Sequence, residues 1–417
     1  MAIVRPFAAV RPADEFVENI ITLPYDVMNR VEAKEMAKGN PYSFLHISRS
    51  EIDFEDSENP YSEAVYEKAK ANLSSFLEKR VLIQDEKPML YIYAQEMEGR
   101  VQTGIVACTA ISEYENNTIK KHELTRHDKE QDRIKHFDHC NANTEAVFLT
   151  YRDNKFIREI TDEWVRKNLP VYNVHSIDGI KHILWVIDDE STVATICRLF
   201  DEVPNLYIAD GHHRSASAYN VGLKRKEESL KSGARVSGDE EFNFFMSVIF
   251  PDNDLKIFDY NRVIKDLNGH SEADFMESLK EKFVVFQIKG DDFAPKEKHE
   301  FSMFLSGNWY RMGLKEEFLD ESDTISSLDV SILQDLVLRP ILGIEDPRTD
   351  KRIDFVGGIR GLKGLEKRVN LDMKVAFALY PVSIDDLLKI SDEGKIMPPK
   401  STWFEPKLAS GLFVHKL

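Results

Sequence analysis

Short apolar runs bounded by turn residues recur along the chain, and their length and alternation are typical of β-strands. These runs lie at residues 89–97, 103–111, 146–151, 182–188, 205–210, 245–251 and 284–289. Between them, apolar residues at helical spacing predict helices over 61–79 and 161–168. Strands and helices alternate, although less regularly than in a doubly wound parallel sheet. We therefore predict a mixed α/β or α+β fold.

Two polar stretches interrupt this pattern. Residues 222–241 predict a solvated helix end followed by a loop, and residues 289–301 predict a turn between two strands. A chain of 417 residues suits two or three domains. We expect a first region over 1–250, a second α/β lobe over 251–395, and a C-terminal segment over 396–417 that returns to the first region.

The charge balance limits the partners. The chain has 55 Lys and Arg against 72 Asp and Glu, so its formal net charge is 55 − 72 = −17. Such a surface repels nucleic-acid backbones and anionic lipids. We therefore expect a small-molecule substrate, with no nucleic acid and no membrane as partners. Any anion site must be a local basic pocket.

The cysteines and the apolar stretches bear on location. Cys108, Cys140 and Cys197 are an odd number of widely spaced residues without a CxxC pair, so no disulfide framework is implied. The N-terminal residues contain no apolar signal region, and the most apolar stretches, 182–187 and 242–250, are shorter than the roughly 18 residues that a membrane span needs. We expect a cytoplasmic protein that is neither secreted nor membrane-spanning.

The segment NLYIADGHHRSASAYN at 205–220 contains the densest group of chemically useful side chains. It predicts a strand that ends at Asp210, a turn at Gly211 and a helix after it. Glycine permits a tight turn, a helix N-terminus attracts anions, and Arg214 can grip phosphate or carboxylate. Asp210 could hold a metal ion or accept a proton. We expect Gly211, Arg214 and Ser215 to bind an anion, and His212 and His213 to act as donors, metal ligands or acid/base groups.

The alternative interpretation of this segment is structural. Asp210 could simply cap the helix, and the two histidines could be surface residues. A zinc site is weakly supported, because adjacent histidines rarely point at one ion.

Residues 120–151 form a second group. His122, Glu123 and Arg133 could build the edge of a polar pocket, and a solvated helix is the alternative. His136, His139 and Cys140 could be a metal cluster, but no fourth ligand lies at a supporting distance.

Two further segments surround prolines. In ITLPYDVMNR at 21–30, Pro24 places Asp26 in a rigid turn, where it could be a general base, a metal ligand or a structural cap. The C-terminal MPPKSTWFEPKLASGLFVHKL could be a phosphate-binding patch or a solvated strand pair. The patch would use Lys400, Ser401, Thr402, Lys407 and Ser410. The P-loop, Rossmann and GxSxG patterns are absent from the chain.

Several blocks together resemble the bacterial family known as domain of unknown function DUF1015, over nearly the whole chain. They are VRPFAAVRP at 4–12, LPYDVM at 23–28, NPYSFLHI at 40–47, HELT at 122–125, DR at 132–133, IADGHHRSASA at 208–218, DPRTDKRIDFVGG at 346–358 and MPPKSTWFEPKLASGL at 397–412. The family is distantly similar to the ParB/sulfiredoxin-like fold, in which a GxxRxxA turn binds phosphate. Gly211 and Arg214 match that pattern, while Ser217 replaces its alanine.

Free-serine kinases share this fold, so the resemblance implies a phosphotransferase that makes O-phosphoserine from L-serine, with pyrophosphate or a nucleotide as donor, toward cysteine or within serine metabolism. Phosphoryl transfer needs cationic clamps, a metal ion and a carboxylate. The candidate clamps are Arg214, Lys400, Lys407 and Arg133. Asp210 would bind Mg²⁺ or hold the serine hydroxyl, and Asp26 or Glu123 would be the base. His212 and His213 would donate to the phosphoryl oxygens.

Two alternatives stay open at this point. A ParB-like nucleotide-binding regulatory module would use the same turn without catalysis, and a phosphohydrolase would use the same pocket on water. The sequence leaves the phosphoryl donor and the oligomeric state undecided.

Overall fold

The computed structural model describes residues 2–417, which form two compact units. The first unit contains the described residues up to Leu255 together with Pro406–Leu417, and the second contains Lys256–Glu405. The strands are β1 Val4–Arg5, β2 Val10–Pro12, β3 Leu82–Gln84, β4 Leu90–Met97, β5 Arg100–Ala110, β6 Ile119–Lys120, β7 Ala142–Asn143, β8 Val147–Tyr151, β9 Tyr172–His175, β10 Lys181–Ile187, β11 Leu206–Asp210, β12 Phe244–Pro251, β13 Ile257–Phe258, β14 Tyr260–Ile264, β15 Phe283–Gln287, β16 Glu300–Leu305, β17 Asn308–Leu314, β18 Ile353–Gly357, β19 Val375–Leu379, β20 Trp403–Phe404 and β21 His415–Lys416.

Both units contain helices. The α-helices are α1 Val17–Ile20, α2 Arg30–Ala37, α3 Leu45–Ser48, α4 Glu63–Glu78, α5 Ile111–Glu115, α6 His127–Cys140, α7 Lys155–Lys167, α8 Glu190–Asp201, α9 His212–Lys231, α10 Glu272–Lys282, α11 Asp329–Leu333, α12 Gly361–Leu371 and α13 Ile384–Asp392. Short 3₁₀ turns and a π-helical turn at Gln334–Leu338 complete the chain. None of the helices in residues 2–417 is both long and apolar enough to cross a membrane.

The first unit is built on a nine-stranded mixed sheet. Its strand order is β6-β11-β8-β12-β5-β4-β10-β9, and β1 pairs with β5. The pairs β11–β6 and β12–β8 are parallel and the other pairs are antiparallel. The sheet is mixed and helices pack against it, so the predicted fold class is confirmed.

Each apolar run identified in the sequence is a strand. Two boundaries differ from the prediction. Strand β5 begins at Arg100 rather than at residue 103. Only Glu98 and Gly99 separate it from β4, because both have positive φ, at 54° and 78°, and form a tight hairpin turn. Helix α7 begins at Lys155 rather than Thr161, because the side chain of Asn154 accepts a hydrogen bond from the amide of Phe156 and starts the helix earlier.

The last residues of the chain cross the first unit. Val414 exchanges two main-chain hydrogen bonds with Val10, and Ser410 exchanges two with Thr22. Gly411 lies between them with φ 94°, and a β-carbon there would come within 2.7 Å of Ile20. The segment therefore needs glycine at its closest approach to the N-terminal helices.

The second unit has its own antiparallel sheet, in the order β15-β17-β16-β19-β14-β18. Its main core contains apolar residues of the sheet together with α10, α11 and α13, among them Phe275, Phe301, Leu333 and Phe377. The predicted turn over 289–301 connects β15 to β16.

Candidate functional site

The turn between β11 and α9 is a strand-to-helix corner. Gly211 precedes the helix with φ 100°, in the left-handed region that glycine adopts without strain. The N-cap residue is Gly211, which has no side chain that could cap the helix. Asp210 precedes it and accepts from the side chains of Arg214 and Lys407. The first turn of α9 keeps the backbone amides and positive dipole end that favour an anion.

Arg214 folds back over this turn. Its side chain is 3 % exposed, and a β-carbon on Gly211 would lie 3.0 Å from its Nε atom. One guanidinium nitrogen donates to the carbonyl of Ala146, and Nη2 lies 3.4 Å from Asp210 Oδ2. The Nε–H is buried and has no hydrogen-bond partner among residues 2–417. Glycine at 211 is thus required both for the backbone conformation and for space beside the guanidinium.

Lys407 reaches the same carboxylate from the C-terminal segment. Its Nζ lies 3.5 Å from Asp210 Oδ2, and Gln95 holds its main chain through a 2.8 Å hydrogen bond to the carbonyl oxygen. Burial opposes ionisation of Asp210, but the charges of Lys407 and Arg214 hold its pKa well below the usual range. Two cations therefore share one carboxylate, which leaves a local excess of positive charge.

Glu145 is a buried carboxyl group on the other side of Arg214. Its Oε1 accepts hydrogen bonds from Ser410 Oγ at 2.6 Å and from the amide of Tyr25 at 3.3 Å. Burial raises its pKa, against the opposing charges of Arg214 and Arg133. Its Oε2 is buried without a partner in the described part of the chain. This oxygen can accept a hydrogen bond from a bound ligand.

Arg133 belongs to a buried network on α6. Its guanidinium pairs with Asp132 at 2.8 Å and lies over the ring of Tyr25, 4.1 Å from the ring centroid. Tyr66 donates a 2.9 Å hydrogen bond to the other oxygen of Asp132. Burial opposes the charge on Arg133, but Asp132 compensates and the pKa of Arg133 is raised. The cation is therefore permanent and rigidly held. The pocket edge of His122, Glu123 and Arg133 remains a prediction.

The histidines cluster at the start of α9. The rings of His122 and His212 meet edge to face with centroids 4.5 Å apart. Burial lowers the pKa of His122 to about 4 and the pKa of His212 well below its usual value, so both are neutral near pH 7. His212 Nε2 accepts from the amide of His122, and His213 Nε2 accepts from the amide of Arg126 at 3.0 Å. Neutral His212 therefore carries its proton on Nδ1 and is a hydrogen-bond donor there.

The remaining predicted residues of the first unit lie as follows. Asp26 is exposed on the short turn Tyr25–Val27, and its negative charge helps raise the pKa of Arg214 and of Tyr25. Glu123 follows His122 in the loop before α6 and is half-buried. Ser215 is buried and donates to the carbonyl of Gly211 at 3.1 Å, which uses its hydroxyl proton within the helix.

Three predicted phosphate ligands lie in the second unit. Lys400 is exposed, with φ 59°, and Ser401 donates to the carbonyl of Pro398 at 2.6 Å. Thr402 is half-buried beside them. They remain predictions, whereas Lys407 and Ser410 of the same sequence block lie in the first unit beside Arg214 and Glu145.

The metal hypotheses have different outcomes. His139 pairs with Glu63 at 2.6 Å, whereas His136 turns inward to Thr144 at 3.1 Å, so the proposed His136, His139 and Cys140 cluster does not form. Within residues 2–417, the one set of three potential ligands that lie within 4.8 Å of one another is Glu63, Glu67 and His139. Asp210 is not part of such a set. It fits a magnesium ion only if substrate phosphate oxygens and waters supply most of the ligands, as Mg²⁺ commonly allows.

Sequence reasoning missed Glu145 and the stacking role of Tyr25. Glu145 stands two residues before the fully buried strand β8, and a charged residue at the start of the apolar run 146–151 was the available signal. Together the buried groups form a corner in which the carboxylate of Asp210 lies between two cations, Arg214 and Lys407. Such a corner can bind a phosphoryl group and orient a second reactant beside it.

The chain is similar to one protein family and to several solved structures. The family model described as "Protein of unknown function (DUF1015)" matches residues 4–331. A search of curated proteins finds no significant match. The similar solved structures include "Free serine kinase in complex with AMP", at 13% identity and TM-score 0.36, covering 74% of this chain and 92% of that chain.

Two further solved structures are similar at the same level. One is a conserved hypothetical protein from Pyrococcus furiosus, at 14% identity and TM-score 0.33, covering 74% of this chain and 94% of that chain. The other is "SbnI with C-terminal truncation from Staphylococcus aureus", at 10% identity and TM-score 0.39, covering 74% and 86%.

Proposed function

The chain belongs to the DUF1015 family, and we propose that it is a phosphotransferase that moves a phosphoryl group from pyrophosphate or a nucleotide to the hydroxyl group of free L-serine. The observation that carries the proposal is the buried Nε–H of Arg214, which has no partner within residues 2–417 and lies beside the open N-terminus of α9. An unpaired buried donor on a permanent cation costs free energy unless a ligand satisfies it. An anionic oxygen is the matching ligand.

Charge supports a phosphoryl group over a neutral ligand. Arg214 and Lys407 carry two positive charges and share Asp210, in a protein whose formal net charge is −17. An anionic phosphoryl group bound between them would offset the one positive charge that Asp210 leaves uncompensated. Arg133 is fully paired with Asp132 and acts at longer range, by holding Tyr25 in place.

The transfer requires a proton acceptor for the serine hydroxyl. Asp26 is our first candidate, because it is exposed and its charge acts on Arg214, and Glu123 is the second. The serine oxygen forms a bond to phosphorus while the bond from phosphorus to the bridging oxygen of the donor breaks. The electron pair leaves with phosphate or the shortened nucleotide, and the hydroxyl proton passes to the carboxylate.

The other groups bind and orient. The Nδ1–H of His212 donates to a phosphoryl oxygen, and Asp210 positions the acceptor or a magnesium ion. Asp210 would hold a bound Mg²⁺, which would supply positive charge to the phosphoryl donor. Glu145 Oε2 is an acceptor suited to the ammonium group of the amino acid. Serine as the acceptor rests on the resemblance of the turn motif to free-serine kinases.

The test is product analysis by phosphorus NMR. Purified protein is incubated with Mg²⁺ and L-serine and, in separate samples, with pyrophosphate, ADP or ATP. We expect O-phosphoserine with one donor. Orthophosphate formed without any amino acid would indicate the phosphohydrolase alternative, and no turnover together with tight nucleotide binding would indicate the regulatory module.

Variants connect the activity to the site. We expect Asp210→Asn and Arg214→Ala to lose turnover while they keep the thermal midpoint within a few degrees of the parent protein. The control is Arg198→Ala on α8, where the guanidinium is exposed and pairs with Glu202 at 3.0 Å. Full turnover in Asp210→Asn and Arg214→Ala would contradict the proposal.

A further inference from the structure

The second unit contains a cavity of about 210 Å³ with a buried carboxyl group in its wall. Asp329, the first residue of α11, is 6 % exposed and lines this cavity. Its Oδ1 accepts a 2.8 Å hydrogen bond from the amide of His299. Its Oδ2 is buried and has no hydrogen bond of good geometry from any residue in 2–417. A polar atom in this state calls for a ligand.

The one lysine of the cavity wall already forms an ion pair with a neighbouring carboxylate. Lys298 lies 2.7 Å and 2.9 Å from the two carboxylate oxygens of Asp386, which also accepts from Ser383 at the start of α13. Glu321 adds a further carboxylate at the rim. The balance of formal charges along the wall is therefore negative, and the cavity favours a cation.

The occupant is organic rather than a metal ion. The oxygens of Asp329, Asp386 and Glu321 are not among the groups of three metal-ligand atoms within 4.8 Å of one another in the described chain. The cavity has room for several atoms beyond a single water molecule, which needs roughly 10–15 Å³ on the same measure. Leu328, Pro381 and Val382 supply apolar wall between the charged groups. A cationic head with a short apolar body matches this wall.

We propose that this cavity binds a small organic cation, a primary ammonium group on a short aliphatic body, with Asp329 as its counter-ion. The site lies in the second unit and would bind a cation, whereas the proposed site at Gly211 in the first unit would bind an anion. The proposal does not depend on the phosphotransferase assignment.

The electrostatics of Asp329 agree with this assignment. Burial raises its pKa to about 7, and the charge of Asp386 acts in the same direction. The main-chain amides of His299 and Tyr380 and the charge of Lys298 oppose the rise. An ammonium ligand would be bound by the ionised form. Binding should therefore weaken about tenfold between pH 8 and pH 6, as the ionised fraction of a group with pKa near 7 falls.

The groups that face Asp329 and could also titrate are His299 and Tyr380 beside the carboxyl, with Lys298, Asp386 and Glu321 around the rim. His299 Nε2 contacts the carbonyl of Ser327 at 3.1 Å, so the neutral ring donates there. Any pH dependence of amine binding that disappears in Asp329→Asn is due to Asp329. Any pH dependence of binding that persists in this variant is due to the other groups.

The test is titration calorimetry of the full chain with n-butylammonium, with n-butanol as the neutral probe of the same shape. We expect millimolar or tighter binding of the amine at pH 8, at least tenfold weaker binding of the alcohol, and at least tenfold weaker binding of the amine to Asp329→Asn. The matched control is Asp323→Asn, a nearby exposed carboxylate that pairs with Lys395 at 2.7 Å and does not line the cavity.

A second variant guards against misfolding of Asp329→Asn. Val382→Phe fills the cavity and leaves the carboxyl group intact, and we expect it to abolish amine binding with the fold retained. The proposal is overturned if n-butylammonium does not bind at either pH, if both variants bind it like the parent protein, or if Mg²⁺ or Ca²⁺ displaces it by binding more tightly.

Discussion

The ammonium group of Lys407 lies 3.5 Å from the carboxylate of Asp210, although 197 positions separate the two residues in the chain. Asp210 ends β11, which lies between β6 and β8 in the sheet, and Lys407 lies on the C-terminal segment. The segment thereby completes the corner that Arg214 and Gly211 begin. The first prediction follows from this pair.

Replacing Lys407 should impair phosphoryl transfer without unfolding the protein. We expect Lys407→Met to lower kcat/KM by about 10²- to 10³-fold, because a preorganised charge at the transferred group is lost. The measurement is steady-state kinetics with serine and the active donor. Lys416→Met is the control, since Lys416 is exposed on the same segment and contacts Gln84. Equal losses in the two variants would point to a general effect on the segment instead.

Gly211→Ala should damage the anion site more than the fold. The new methyl group would sit 3.0 Å from Arg214 Nε at a residue with φ 100°. We expect a stability cost of about 1–2 kcal/mol from the backbone strain and at least a tenfold loss of activity. Gly233→Ala is the matched control, with φ 79° and no atom within 4 Å of the added carbon. It should show a similar drop in thermal midpoint with activity retained, and an equally active Gly211→Ala would refute the prediction.

The hydrogen bond from Ser410 to Glu145 should matter most at high pH. Burial raises the pKa of Glu145, so its folded state loses stability as pH rises and the carboxylate forms. The 2.6 Å bond from Ser410 offsets part of that loss. We expect Ser410→Ala to cost about 1–3 kcal/mol at pH 8 and less at pH 5, measured by chemical unfolding. In a Glu145→Gln background the pH dependence of this cost should vanish; if it persists there, another group is responsible.

Glu113 makes the first unit less stable at alkaline pH. Burial raises its pKa to about 7, and its Oε1 accepts from the amide of Ile3 at 2.8 Å. Because the folded pKa lies above the unfolded value, the stabilising contribution is present at pH 4 and is lost as pH rises through 7. We expect the free energy of unfolding to fall by about 2 kcal/mol from pH 5 to pH 8, less than the full shift would give because solvent screens the group. Glu113→Gln should flatten that profile, and an identical slope in both proteins would exclude Glu113 as the cause.

Gly222→Ala should destabilise the protein although alanine usually favours helices. The added carbon would lie 2.5 Å from the carbonyl oxygen of Phe242 and 2.5 Å from Ile111 Cδ1, so α9 would have to move from its neighbours. We expect a loss of about 1–3 kcal/mol. Gly313→Ala, with nothing within 4 Å of the new carbon, is the control for calorimetry. A gain in thermal midpoint for Gly222→Ala would show that the helix position adapts freely.

The sequence alone determined the local features of this protein. The apolar runs at 89–97 and 205–210 predicted β4 and β11, because strand burial depends on side chains that alternate or stay apolar over a few residues. The strand–glycine–helix corner at Asp210–Gly211 was also predictable, since glycine's positive φ and the start of a helix are encoded within five residues. Arg214 belongs to that local motif, one turn into α9.

Only the tertiary structure decided which distant residues complete the corner. Glu145 comes from the residues just before β8, and Ser410 and Lys407 come from the C-terminal segment. Their meeting with Arg214 depends on the sheet order and on the pairing of Val414 with Val10. Sequence also grouped Lys400 with Lys407 in one block, whereas the chain divides between them into its two units. Local propensity acts over a few residues, but charge pairs form wherever packing of the apolar cores brings the chain together, and that arrangement is a property of the whole fold.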